Sequence, residues 1–247
     1  MAKVSTGIAN HYVSTAAELQ SALTEAQNNA LDDVIHIAQG TYVGNFLYAS
    51  TEENDLSILG GYSADFSSRD VDAANTILDG NSSDRVVTLM TPTVNADIHI
   101  SGLTFQNGDV STRGGGIRIE TLGFVEVANN TIKDNMSDYG GGVYLSGSNV
   151  LITDNIITSN ISSLYGGGVY IEGGGAFTNN TITDNVVTYT GNSGHGQGGG
   201  IYVADDSVFT DNIIDGNTAR VGGGVYSGYA DSEFIGNTIT GNTSASY

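Results

Sequence analysis

Triple glycines begin at Gly114, Gly140, Gly166, Gly198 and Gly222, separated by 26, 26, 32 and 24 residues. Each leads into a short alternating segment: Ile117-Arg118-Ile119, Val143-Tyr144-Leu145, Val169-Tyr170-Ile171, Ile201-Tyr202-Val203 and Val225-Tyr226-Ser227. An asparagine series runs in step: Asn130, Asn155, Asn180, Asn212 and Asn237. Three residues before each stands Val127, Ile152, Phe177, Phe209 or Phe234, and two residues after stands Ile132, Ile157, Ile182, Ile214 or Ile239. A second asparagine follows five residues later, at Asn135, Asn160, Asn185, Asn217 and Asn242. Five in-register copies of so many fixed points are a structural repeat, and a period of this size means a solenoid.

Alternation with period two puts one set of side chains inside a coil and the other outside. Three short strands per coil are expected, with like residues stacked on like along the axis. No coil buries its apolar face alone, so stability comes from stacked neighbours. Asparagine suits left-handed turn conformations, and stacked amides are expected to hydrogen-bond from coil to coil. Glycine allows positive φ and close approach of adjacent turns. The fold class is all-β, a right-handed parallel β-helix.

The first half repeats less regularly. Val34–Ile37, Leu56–Leu59, Thr76–Asp79 and Ile98–Ile100 read as one strand per earlier coil, and residues 103–107 as a further coil segment. With the five glycine-marked copies this gives about nine coils, a rod of about 43 Å at about 4.8 Å per strand spacing. Residues 13–30 are read as an N-terminal capping helix. Thr15 and Glu18 form a capping box, and Leu19, Leu23 and Ala26 an apolar stripe. The helix is expected to cover the open end of the first coil. The chain reads as one domain over 1–247, with irregular coils at 31–110 and regular ones at 111–247. Its C-terminal end shows no comparable cap, so a continuation of the coils or a covering neighbour is expected there.

Seven Lys and Arg stand against 27 Asp and Glu, a formal charge of −20. Nucleic acid and anionic membrane surfaces are poor partners for such a chain, and no apolar run approaches the roughly 20 residues that span a bilayer. Cysteine is absent, which excludes disulfides and thiolate chemistry. Met1–Ser5 lacks the apolar stretch of a signal peptide. A mature segment restarted at an engineered methionine is the preferred reading. The expected location is extracellular or at a cell surface, where salt or calcium screens the negative charge.

The pairing of Gly141-Gly142-Val143, Gly167-Gly168-Val169 and Gly223-Gly224-Val225 with Phe177-Thr178-Asn179-Asn180 and Phe209-Thr210-Asp211-Asn212 resembles the repeats of the chlamydial polymorphic membrane proteins. It is also similar to the wider pectin-lyase-like β-helix proteins of bacterial and archaeal surfaces. The helix followed by Ile35-His36-Ile37-Ala38-Gln39-Gly40-Thr41-Tyr42 resembles that superfamily's entry coil. The resemblance runs from about Val13 onward and implies the fold. Its members include lyases, hydrolases, epimerases, adhesins and structural surface proteins, so function rests on the site.

Resemblance to polygalacturonase-type hydrolases draws attention to Gly194-His195-Gly196 and Asp205-Asp206, but the order is reversed and His195 lies in the insertion that lengthens one coil. A solvated loop histidine, in a protruding loop at 189–193, is the simpler reading. Pectate-lyase chemistry would use Arg113, Arg118 or Lys133 with Glu120 and Glu126; a few charges keeping an outer face solvated is the simpler reading. Asp134, Asp154, Asp184 and Asp211 fall in turns where calcium is possible through oxygen ligands, although no cofactor is required. His11, His36, His99 and His195 show no metal-ligand spacing, and His36 and His99 read as outward surface residues.

Two outward columns remain. Arg118, Tyr144, Tyr170, Tyr202 and Tyr226 form an expected exposed aromatic ladder with a guanidinium at one end. It would suit sugar-ring faces or a flat partner, or simply stabilise neighbouring strands. The other runs Thr131, Ile156, Thr181, Ile213, Thr238 beside Lys133, Thr158, Thr183, Asp215, Thr240; paired threonines are similar to those of ice-binding β-helices, but Lys133 and Asp215 interrupt them. The leading expectation is a secreted or cell-surface structural or adhesive module, self-associating end to end or binding surface polysaccharide or protein. A polysaccharide lyase or hydrolase, and a carbohydrate-binding module without chemistry, are the alternatives.

Overall fold

The strand after each glycine triplet is the first of four in its coil, not of three. A computed structural model describes residues 7–147, 149–191, 194–228 and 231–244. Among these, the strands stack into four parallel sheets, numbered in the order a regular coil visits them after its glycine triplet. The first has seven strands, from Phe46–Ala49 to Val225–Ser227, and the second nine, from Ile8–Val13 to Glu233–Ile235. The third has eight, from Gly40–Val43 to Thr238–Thr240. The fourth has five, from Met136–Tyr139 to Thr243–Ser244, and exists only in the regular half.

Nine coils are therefore present, by a route partly different from the expected one. Thr76–Asp79 pairs with Gly40–Val43 in the third sheet, so it belongs to a coil already counted. The coil that replaces it in the tally starts at Ile8–Val13, which pairs residue for residue with Ile8↔Asp32 through Val13↔Ile37.

Inward side chains form continuous columns. Ile117, Val143, Val169 and Ile201 line the first sheet, and Ile132, Ile157, Ile182 and Ile214 the third, all fully buried. Phe177, Phe209 and Phe234 stack along the second, with ring centroids 4.8 and 4.7 Å apart. Each buried aliphatic side chain contributes about 2 kcal/mol of transfer free energy.

Two corners of every regular coil are closed by asparagine. Asn155 Oδ1 accepts from the backbone N–H of Asn130 at 2.9 Å and from its Nδ2 at 3.2 Å. Asn155 Nδ2 donates in turn to Asn180 Oδ1 at 3.1 Å and back to the carbonyl of Val127 at 2.7 Å. The same pattern continues through Asn180, Asn212 and Asn237. A second ladder runs from Asn135 to Asn242 between the third and fourth sheets. The residue before each asparagine takes the strained left-handed turn: Asn129, Asp154, Asn179 and Asp211 at one corner, Asp134, Ser159 and Asp184 at the other.

The glycine triplet closes the corner between the fourth and first sheets. Its first residue has positive φ, +64° at Gly140. A Cβ on the second, Gly141, would strike the carbonyl oxygens of Gly167 and Ile161, which stack directly above it. A Cβ on the third, Gly142, would meet the amide of Asn160 at 3.0 Å. The three glycines thus answer three separate demands.

The helix spans Ala16–Ala26, shorter than the 13–30 segment, because Val13 still belongs to a strand. Thr15 and Glu18 make the capping box, and Leu19, Ala22, Leu23 and Ala26 are buried. Gln20 exchanges hydrogen bonds with the backbone of Leu47, on the edge strand of the first sheet, so the helix lies where another rung would stand. Nearby, His11 Nε2 meets the buried carboxylate of Asp33 at 2.7 Å, and Asn29 Nδ2 donates to the same oxygen. His36 is not a free surface residue. Its ring stacks on Tyr12 at 4.8 Å and takes Tyr62 edge-on at 4.8 Å, while Nε2 lies 2.9 Å from Asn10 Oδ1 and Nδ1 is buried without a partner. Burial, then the charges of Arg69 and His11, pull its pKa below the ordinary histidine value.

Asn180→Asp keeps the shape and the acceptor but removes both donations, to Ile152 and Asn212. A loss of about 3 kcal/mol is expected, read as a lower denaturation midpoint, with a smaller loss for Asn237→Asp in the less buried last rung. Because folding holds His36 neutral, its stabilising contribution is complete above about pH 6.5 and is lost as the pH falls from there through the lower folded-state value. Melting temperature followed between about pH 7 and 5 should fall more steeply for the natural chain than for His36→Gln.

Candidate functional site

The outward middle residues of the first sheet stand in one register: Arg118, Tyr144, Tyr170, Tyr202 and Tyr226. The tyrosine rings stack nearly parallel, with centroids 5.4, 4.8 and 5.2 Å apart and interplanar angles of 6°, 5° and 12°. Each ring face within the stack is therefore occupied by its neighbours. What reaches solvent is ring edge and hydroxyl. This corrects the expectation of open platforms for sugar rings.

Nor is the ladder fully exposed. Tyr144 is completely buried, while Tyr170, Tyr202 and Tyr226 are half-buried. The guanidinium over Tyr144 is that of Arg113, 4.9 Å from the ring centroid. Arg118, in register with the stack, turns instead to Glu120, with Nε 2.8 Å from Oε1. Arg113 lies 3.6 Å from Glu120 and 3.5 Å from Glu172, so both guanidiniums are paired. Arg85 is half-buried behind them, donating to the carbonyls of Arg113 and Gly114 and to Thr88 and Thr112. It holds the turn in place.

A second column, immediately before each glycine triplet, completes the face. Arg113, Tyr139, Tyr165, Gln197 and Val221 follow one another from coil to coil. Because glycines occupy the corner between the columns, the two sets of side chains meet over it. Tyr139 takes Tyr170 edge-on at 5.6 Å, and Tyr165 lies 5.1 Å from Tyr202. The insertion adds Tyr189 and His195, whose rings meet at 5.2 Å. His195 Nδ1 is 2.5 Å from the Tyr165 hydroxyl. The sequence reading missed this column, although the residue before each triplet marks it.

Burial, and then the neighbouring Tyr202 and Glu172, push the Tyr170 phenol up to about 12. Tyr144 is pushed up more strongly by burial and by Glu172. Tyr165 is raised by burial and by Tyr139, Tyr226 and Tyr189. These phenols stay protonated at neutral pH and can donate hydrogen bonds.

Other sequence candidates do not converge here. His195 and Asp205-Asp206 sit at opposite ends of the strand Ile201–Val203. The two aspartates line a recess of about 560 Å³ with Asp231 and Glu233. Glu126 faces His99 at 3.1 Å on the second sheet, and Lys133 lies 3.9 Å from Asp134 on the third. Asp134, Asp154, Asp184 and Asp211 take the left-handed turn positions. Among the described residues no three His, Asp or Glu side chains form a metal-holding group. Residues 192 and 193 of the expected loop lie outside the described residues. No helix among the described residues is long and apolar enough to cross a membrane.

A family model described as the right-handed β-helix region matches residues 19–243. The chain belongs to the right-handed β-helix family. The match begins within the helix and runs through all five glycine-marked coils. No curated protein and no solved structure matches the chain.

The Tyr144 hydroxyl is buried without a hydrogen bond of good geometry. Tyr144→Phe should therefore leave stability unchanged within about 0.5 kcal/mol. Tyr144→Ala, which opens the stack and removes the ring under Arg113, should cost about 3–5 kcal/mol. Chemical denaturation of the two variants checks the contrast.

Proposed function

We propose that this solenoid is a non-catalytic adhesive module, extracellular or at a cell surface, that docks its partner on the tyrosine face. The observation that carries the reading is the gathering of Tyr139, Tyr144, Tyr165, Tyr170, Tyr189, Tyr202 and Tyr226 on one side of the rod, seven of the chain's thirteen tyrosines. Tyrosine and arginine are the residues enriched in interface centres. Tyrosine gives large contact area while ordering only two side-chain torsions, and here much of that ordering is complete before any partner arrives. Protonated hydroxyls at the ring edges suit a polar partner, a surface polysaccharide or glycosylated protein, that accepts hydrogen bonds.

Two alternatives fit less well. A polysaccharide lyase needs a free base, and Arg113 and Arg118 are both held by carboxylates. Head-to-tail stacking of copies would need an open sheet edge at the N-terminal end, where Ala16–Ala26 lies against the first sheet.

The test is retention of the folded chain on immobilised acidic and neutral polysaccharides and on intact bacterial cells. Replacing Tyr139 and Tyr202 by Ala should weaken binding about 10- to 100-fold while the melting transition survives. Unchanged binding would remove the tyrosine face from the reading. Release of unsaturated or reducing sugars from any of these polymers would replace adhesion with catalysis.

A further inference from the structure

The tyrosine face holds a pair of phenols that lie side by side outside the parallel stack. Tyr139 and Tyr165 are direct partners on adjacent coils, their ring centroids 5.6 Å apart and tilted by 30°. The Tyr165 hydroxyl also has a basic partner, His195 Nδ1 at 2.5 Å. The imidazole is fixed on that side by the insertion, with its own carbonyl held by Arg220 and its ring against Tyr189.

We propose that Tyr139 and Tyr165 are a site of oxidative cross-linking, a dityrosine staple between neighbouring coils, with His195 as the base that takes the Tyr165 proton. The inference does not rest on what the face docks. The oxidant is hydrogen peroxide used by a haem peroxidase. Each phenol loses one electron and its hydroxyl proton, and the two radicals join through their ortho carbons. The ortho hydrogens then move to the two oxygens, restoring both phenols. Two tyrosines and one peroxide thus yield one dityrosine and two waters.

Geometry selects this pair over the stack. An ortho–ortho bond lies in the plane of both rings, so rings packed face to face must leave the stack before they can couple. Tyr170 and Tyr202 are parallel to within 5° and flanked by further rings of the stack, which opposes that movement. Tyr139 and Tyr165 lie outside the glycine corner and are already tilted. Their strands also slip register between Ser137 and Tyr139, which relaxes the regular ladder beside them.

A phenol that keeps its proton is hard to oxidise, so a base within hydrogen-bond reach decides which tyrosine reacts first. With Nε2 carrying the ring proton, Nδ1 is the acceptor that faces the Tyr165 hydroxyl. Burial keeps the Tyr165 phenol protonated until oxidation. Tyr165 also touches Tyr170 and Tyr202, so a radical formed elsewhere in the cluster has a route to it.

The experiment treats the purified full chain with a haem peroxidase and one equivalent of peroxide. The expected product has dityrosine fluorescence, monomeric size on a denaturing gel, a mass lower by two hydrogens, and a peptide map joining Tyr139 to Tyr165. Tyr165→Phe keeps the ring and should abolish that link. His195→Gln should slow its formation about tenfold or more, whereas Tyr12→Phe, at an exposed position on the second sheet, should leave the rate unchanged. Melting curves confirm that each variant is folded. The proposal is overturned if the link maps to other tyrosines, if only intermolecular products form, or if Tyr165→Phe or His195→Gln reacts at the natural rate.

Discussion

Everything in the regular half depends on a buried side-chain amide that accepts from the coil before it and donates to the coil after it. Two such ladders run along the rod, through Asn130 to Asn237 and Asn135 to Asn242. The net gain per hydrogen bond is only about 1 kcal/mol, but an orphaned buried amide costs about 1–3 kcal/mol. The ladders therefore act on register more than on bulk stability. A slip of one residue would orphan both amides of a coil and turn its inward columns outward. Their amides also all point one way along the axis, carbonyl oxygen toward the earlier coil, so the rod is electrically polar as well as topologically polar.

The asparagine and glycine corners differ in consequence. Asparagine corners are filled and inflexible. The glycine corner is empty of side chains, and this lets Tyr139 and Tyr165 lean across to Tyr170 and Tyr202. The aromatic face is thus a product of backbone packing: carbonyl oxygens crowd Gly141 and Gly167 too closely for a Cβ, and the tyrosines on either side converge above them. The rings spend their faces on one another and offer edges and hydroxyls outward.

Coil period, inward columns, capping box and amide ladders were legible in the sequence because each recurs at a fixed offset or follows from local chemistry. The fourth sheet was not, for a physical reason. Its inward positions are Ser137, Ser162, Val187 and Ala219, small and partly polar, so its strands carry almost no hydrophobic alternation. Ile8–Val13 escaped similarly, since His11 occupies an inner position against Asp33 where an aliphatic residue was sought. Period two placed Tyr144 outward correctly but said nothing of Arg113, which arrives from the preceding coil to cover it. Burial of an outward residue depends on its neighbours' side chains, and alternation within one strand does not contain that information.

The two asparagines of a coil are always five residues apart, even where the coil itself lengthens from about 25 residues to 32. The extra residues enter between Val187 and Gly198, ahead of the glycine triplet. The amide ladders act as a ruler over one stretch of each coil and leave another stretch unmeasured. Foreign sequence grafted into the unmeasured stretch would project beside the tyrosines at a chosen height on the rod, making the solenoid a rack on which loops can be mounted at single-strand intervals.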